Sequence, residues 1–240
     1  MVAPSYIDAG AAGDASGVAI TPGYPATILA DDLLLMHVWN RDPSAGTLTD
    51  PTDWVTVFGP DVSTNSTMWI LAKKATGSES GTVTVDIPST GSNTFVARIY
   101  QFRDWLKDAT WANNWEGGGL LNSVDTGDAT NITHTAVTTT DVDRLAVAFV
   151  AVVDDNALDA FTGETGGDWT EPVAEYTTIT GTDGAIGLQV ATLATAATLT
   201  GGSDAMAAAD PWQVRTFAIK PASGAPANKR RYTLTTTGVG

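Results

Sequence analysis

Two histidines, His37 and His134, are the chain's whole supply of imidazole, and cysteine is absent. A nucleophile that needs a neutral base near pH 7 would have to use one of those two rings. His37 sits inside the apolar run Leu33-Leu34-Leu35-Met36-His37-Val38-Trp39, where a hydrogen-bonded core residue is the ordinary outcome. His134, in Asn131-Ile132-Thr133-His134-Thr135, has the setting of a strand edge. Gly77-Ser78-Glu79-Ser80-Gly81 has the outline of a nucleophile elbow, but its centre is Glu79. It reads instead as a hairpin turn before a strand at 82–87. A Walker A loop, a dinucleotide fingerprint and an HExxH pair are all missing.

Carboxylates are plentiful: Asp31-Asp32, Asp141 and Asp143, Asp154-Asp155, and Asp159. Paired acids could serve glycoside hydrolysis, which needs a set separation in space. Asp154, Asp155 and Asp159 could chelate calcium in a loop, yet the spacing does not fit an EF-hand. Loop-end acids that keep the protein soluble are the plainer reading. The expectation is therefore a non-enzyme with no catalytic residue, cofactor or metal ligand.

Two further groups suit partner binding. Trp105, Trp111 and Trp115 fall within eleven residues, with Trp111 and Trp115 on one face of a short helix. They could form a sugar-stacking platform, an interface anchor or, as the favoured structural reading, a hydrophobic plug between units. Near the C-terminus, Lys229, Arg230, Arg231 and Tyr232 form a basic arm on an acidic body, since 12 Lys+Arg face 27 Asp+Glu. A net charge of −15 argues against nucleic acid or an anionic membrane as main partner. Tyr232, Leu234 and Thr236 alternate as a strand would, behind a Pro/Gly-containing linker, which suits addition to a neighbour's sheet edge.

The elements that position these residues read as β. Val83, Val85 and Ile87 share one face of an alternating segment, and 96–102 alternates in the same way. The runs 33–39 and 145–151 are continuously apolar, the pattern of a strand covered on both faces. The apolar run from Leu145 to Val153 is far shorter than the roughly 20 residues of a bilayer-spanning helix. The first residues have neither a basic nor an apolar leader segment, so synthesis in a cytoplasm without export is expected.

An internal duplication organises the chain. Ile7–Gly10 matches Val124–Gly127, Asp32–Met36 matches Asp143–Val147, Thr52–Trp54 matches Gly167–Trp169, and Arg98 in 96–100 matches Arg215 in 212–217. The fold expected is all-β, as two tandem related β-sandwich units of jelly-roll or immunoglobulin-like kind with short terminal arms. The boundaries are an N-terminal arm at 1–5, unit one at 6–103, a Trp-rich connector at 104–122, unit two at 123–220 and a basic C-terminal arm at 221–240. One larger sandwich with interleaved halves is the alternative.

Several segments also resemble a loosely defined group of virion proteins of tailed phages and prophages. They are Asp32-Leu33-Leu34-Leu35, Trp54-Val55, the stretch from Lys74 to Val85, Ala97-Arg98-Ile99, and the stretch from Trp212 to Pro221. The resemblance implies a β-sandwich structural protein, a capsid decoration or appendage. It would be made in the host cytoplasm and sited on the virion. Its partners would be capsid or tail proteins and further copies of itself, with a trimer as one typical state. The alternative is a carbohydrate- or receptor-binding module of a tail fibre or cell surface.

Overall fold

The computed structural model describes residues 2–16, 19–42, 44, 46–86, 94–124, 130–153, 157–170, 173–178, 184–200, 202–206 and 208–222, less the side chains of 118–124, 173–175 and 177–178. The arm residues Lys229, Arg230, Arg231 and Tyr232, and the acids Asp154 and Asp155, lie outside that set. The first half contains β1 (Ser5–Ala9), β2 (Gly13–Ser16), β3 (Ala19–Ile20), β4 (Leu33–Asn40), β5 (Val55–Val62), β6 (Thr67–Lys74), β7 (Val85–Asp86) and β8 (Thr94–Arg103). A 3-10 turn, Trp111–Asn114, precedes β9 (Trp115–Val124), β10 (Asn131–Thr133), β11 (Val137–Thr138) and β12 (Arg144–Val153). The remainder is β13 (Val173–Thr178), β14 (Gly184–Leu193), β15 (Thr198–Leu199), β16 (Ser203–Ala205) and β17 (Trp212–Ile219).

The chain is all-β, and its strands pair antiparallel. One large sheet runs β1-β8-β4-β6-β5, with β2 also on β8; the other runs β13-β14-β12-β17-β9. The continuously apolar segments become the central strands β4 and β12, and every residue of both is buried. Burial on both faces is why these two strands lack alternation. On the inner side Leu33, Leu35, Ile70, Tyr100 and Phe102 of the first sheet meet Leu145, Val147, Phe149, Leu188 and Phe217 of the second. On the outer sides, β3 and β7 with their loops cover the first sheet, and β10, β11, β15 and β16 with theirs cover the second. The stack is therefore four layers deep, with the two large sheets back to back.

The two sheets share one strand order. Leu34 lies between Lys73 and Gln101, and Ala146 lies between Ala191 and Ala218. His37 lies between Ile70 and Arg98, and Phe149 lies between Leu188 and Arg215. Inner and outer faces correspond when β4 is matched to β12 at a spacing of 112 and β8 to β17 at 117. The sequence match of Asp32 with Asp143, at 111, sets an inner residue against an outer one, because a one-residue slip reverses every side chain of a strand. Asp31, not Asp32, is the counterpart of Asp143: both take positive φ, 71° and 59°, just before the central strand. The match of Ile7–Gly10 with Val124–Gly127 also shifts. Tyr6 sits on Phe102 as Trp115 sits on Ile219, so β1 corresponds to the start of β9.

Contacts between the sheets are reciprocal. His37 and its counterpart Phe149 meet edge to face at 5.5 Å. Phe58 of the edge strand β5 packs on Phe217 of β17 at 4.7 Å, and Asp61 of β5 forms a two-pronged ion pair with Arg215. At the other edge, Tyr176 of β13 donates a hydrogen bond to Asp14 of β2 at 2.7 Å. A residue touching its own equivalent, flanked by crosswise edge contacts, is the geometry of a two-fold interface.

The connector is shorter than 104–122. It ends at Asn114, and from Trp115 onward the chain is β9, the edge strand of the second sheet. Gly117-Gly118-Gly119 suggests a linker by composition, but Gly117 has φ +83° and a Cβ there would stand 2.9 Å from Val137 Cγ1. The glycine admits the outer layer rather than loosening the chain.

Candidate binding sites

The three connector tryptophans come together, as a column of rings. Trp105 and Trp111 stack at 5.7 Å and 4° between planes, and Trp111 and Trp115 at 6.2 Å and 10°. The connector holds them rigidly. Asn114, fully buried, accepts from the Asp108 amide at 2.8 Å and donates to the Asp108 and Trp111 carbonyls at 3.0 and 3.2 Å. Trp105 donates its indole N–H to the Asp31 carbonyl at 2.8 Å. Trp115 touches Phe58 of the first sheet and Phe217 of the second, so the column joins the inner core. Two of the three indoles are at least nine-tenths buried, leaving Trp111 as the partly exposed member. Beside it lies a cleft of about 360 Å³ walled by Val55, Val57, Phe58, Trp111 and Trp115. Its one hydroxyl, that of Thr56, already donates to Asp50 at 2.5 Å. Trp111 and Trp115 share no helix face, because the turn ends at Asn114 and Trp115 opens a strand.

Of the acids and imidazoles singled out by sequence, Asp31, Asp32, Glu79, Asp141, His37 and His134 are engaged in holding the fold. Asp32 accepts from the Leu29 amide at 2.8 Å, from Gln101 at 2.5 Å and from Arg103 at 2.9 Å. Asp31 pairs with Lys74 at 2.8 Å, and that bond holds its carboxyl below the usual range. Asp141 caps the Val142 amide at 2.8 Å. Glu79 closes its own turn by accepting from the Thr76 and Gly77 amides at 2.8 and 3.0 Å. Burial alone would raise its pKa, and these bonds pull it below normal. Asp159 is exposed, and its amide donates to Asp204 at 2.9 Å. Among the described residues no group of three or more His, Cys, Asp or Glu side chains could hold a metal ion.

Both histidines are neutral parts of the packing. Burial pushes His37 down to about 3, and its Nε2 lies 3.0 Å from Met68 Sδ. His134 Nδ1 faces the Thr135 carbonyl at 3.0 Å, so that nitrogen carries the proton. Nε2 is then free to accept from the Trp169 indole at 3.1 Å. Burial keeps this ring below the ordinary histidine pKa.

Sequence reasoning missed one site. At the outer end of unit one, Trp54 donates to the Tyr24 hydroxyl at 3.4 Å, with the two rings stacked at 6.3 Å. Next to them a pocket of about 540 Å³ opens between the loop at 49–53 and the strand approach at 82–86. Lys73, at the end of β6, lines it although the residue is only 8% exposed. The signal was available: Lys73 falls on the face of β6 that carries Trp69 and Leu71 into the outer core, where a charge is costly.

Scans against protein-family models, curated proteins and solved structures find no match.

Proposed function

We propose that this chain is a non-enzymatic virion structural protein, a capsid decoration or appendage that works through protein–protein contacts. One observation carries the reading. The candidate groups Asp31, Asp32, Asp141, Glu79, His37 and His134 are each bound into a strand, turn or layer contact. Both faces of both large sheets are also covered within the chain. What remains for a partner is edges, loops and terminal arms, which is how a shape-based building block makes contacts. The shared strand order favours descent from a doubled ancestral unit.

The C-terminal arm is the contact segment in this proposal. Residues 220–222 are fastened to the connector through Leu106 N to Lys220 O at 2.9 Å and Ala222 N to Asp104 O at 2.7 Å. Residues 221 and 222, where the arm begins, are thereby fixed beside Trp105. The arm's Lys229, Arg230 and Arg231 would meet the acidic surface of another copy or of a capsid protein. Native mass measurement of the full chain and of a chain ending at residue 222 tests this. A larger assembly that falls to monomer on truncation, with an unchanged melting temperature, is the expected result. A full chain that stays monomeric and does not join particles overturns it.

The carbohydrate-binding alternative gains little from Trp111 and Trp115. Their rings stack on one another, and the cleft beside them offers few polar groups. A sugar site pairs ring stacking with several donors and acceptors.

A further inference from the structure

We infer that the outer end of unit one is a binding pocket for a neutral, hydroxyl-rich ligand, an oligosaccharide of uncharged sugars. This goes beyond the structural role proposed above and does not depend on it. Lys73 lies at the centre of the site. Strand β6 delivers its side chain to the outer face in the row of Leu34 and Gln101, where it is nine-tenths buried. The Asp53 and Glu79 carboxylate oxygens lie 3.7 and 3.6 Å from its ammonium, outside hydrogen-bond range. The Tyr24 ring centroid is 6.0 Å away. A nearly buried ammonium held by charge, with its donors left for another acceptor, faces a cavity of about 540 Å³. That volume falls within the span of small-ligand sites.

The lining fits sugar hydroxyls in both senses. Lys73, Tyr24 and the hydroxyls of Thr52 and Thr84 can donate, and the carboxylates of Asp53 and Asp86 can accept. A hydroxyl does both at once, so vicinal hydroxyls match a wall that mixes the two. Asp50, also in the wall, is already occupied by the Thr56 amide and hydroxyl, from which it accepts. An anionic ligand would be repelled by Asp53 and Asp86, and a simple cation by Lys73. The frame is fixed, with Gly23 bridged to Thr82 and Thr49 to Asp86 across the pocket. In unit two the counterpart of Lys73 is Ala191, inside an apolar cluster. The charge is thus a property of this end and not a requirement of the fold.

The test is an array of neutral oligosaccharides (gluco-, galacto-, manno- and N-acetylglucosamine oligomers) beside sialylated and sulfated ones, followed by titration of the strongest hit. The neutral arm is expected to give the hits. Lys73→Met and Asp86→Asn are each expected to weaken binding at least tenfold at unchanged melting temperature, while Trp111→Ala leaves it intact. If Lys73→Met does not fold, Asp53→Asn carries the same expectation, since that side chain is 71% exposed. A blank neutral arm, a preference for sulfated or sialylated sugars, or hits that survive these substitutions would overturn the inference.

Discussion

The outer ends of the two units start from the same device and finish differently. In each, a tryptophan donates its indole N–H to a ring from the outer layer: Trp54 to Tyr24, and Trp169 to His134. At the second end, Phe161 packs on both His134 and Trp169, at 5.1 and 5.9 Å. The cause lies one row into the sheet. Gln189, fully buried, donates to the Asp159 carbonyl at 2.8 Å and accepts from the Phe161 amide at 2.8 Å. This pulls the loop onto the sheet. The counterpart of Gln189 is Leu71, which offers a loop no hydrogen bond. The neighbouring row reverses the pattern, with three alanines in unit two where unit one has Leu34, Lys73 and Gln101. The end packed by Phe161 thus has small residues in this row and a buried amide that reaches the loop, and the other end has a buried amine beside its pocket.

That comparison can be broken by exchanging the deciding residues. The largest effect is expected from Ala191→Lys, which buries an ammonium in the cluster of Phe161, Trp169 and Leu193. A cost of at least about 4 kcal/mol is expected in denaturant unfolding, because an unpaired charge is left out of water. Gln189→Leu comes next. Losing both loop bonds strands the Phe161 amide and the Asp159 carbonyl, for about 2–4 kcal/mol. Hydrogen exchange at the Phe161 amide should accelerate before the rest of the sheet responds.

A third substitution sharpens the inner-face comparison of His37 with Phe149. The folded pKa of His37, about 3, lies below the ordinary unfolded value of 6.5. The unfolded chain therefore binds the proton first as pH falls. Stability is at its full value above about pH 6.5 and declines by roughly 1.4 kcal/mol per pH unit towards pH 3 on account of this group. His37→Phe, which repeats its counterpart, should flatten that part of the melting-temperature profile. If the slope persists, acid sensitivity has another source. The smallest effect is expected from Lys73→Ala, the reverse exchange at the open end: less than about 2 kcal/mol by thermal melting, since water can enter the space left behind.

Much of the fold was legible in the sequence. The continuous apolar runs became the central strands, and Arg98 and Arg215 each pair with the central strand of their own sheet. The errors have physical causes. Matching Asp32 to Asp143 followed residue identity, whereas the turn conformation pairs Asp31 with Asp143. In a strand that single step exchanges core for core, and a strand buried on both sides has no polar face to expose the slip. The connector was drawn through the glycines after Trp115 because composition does not distinguish a loose chain from close approach. The Tyr24–Lys73 pocket was hidden because its walls come from separate stretches of chain that only the β3–β7 pairing and its bridges bring together. The tryptophan column was legible as a cluster, but its stacking angles depend on the Asn114 turn.

The contact of His37 with Phe149 has a consequence for how the two halves stay together. Where two separate subunits share a two-fold contact, dilution pulls them apart and every substitution is imposed on both sides. Here residues 104–114 tether the halves, so their effective concentration is set by a short strap and does not fall when the protein is scarce. Each half can then change alone, which is the condition under which one end can close while the other stays open.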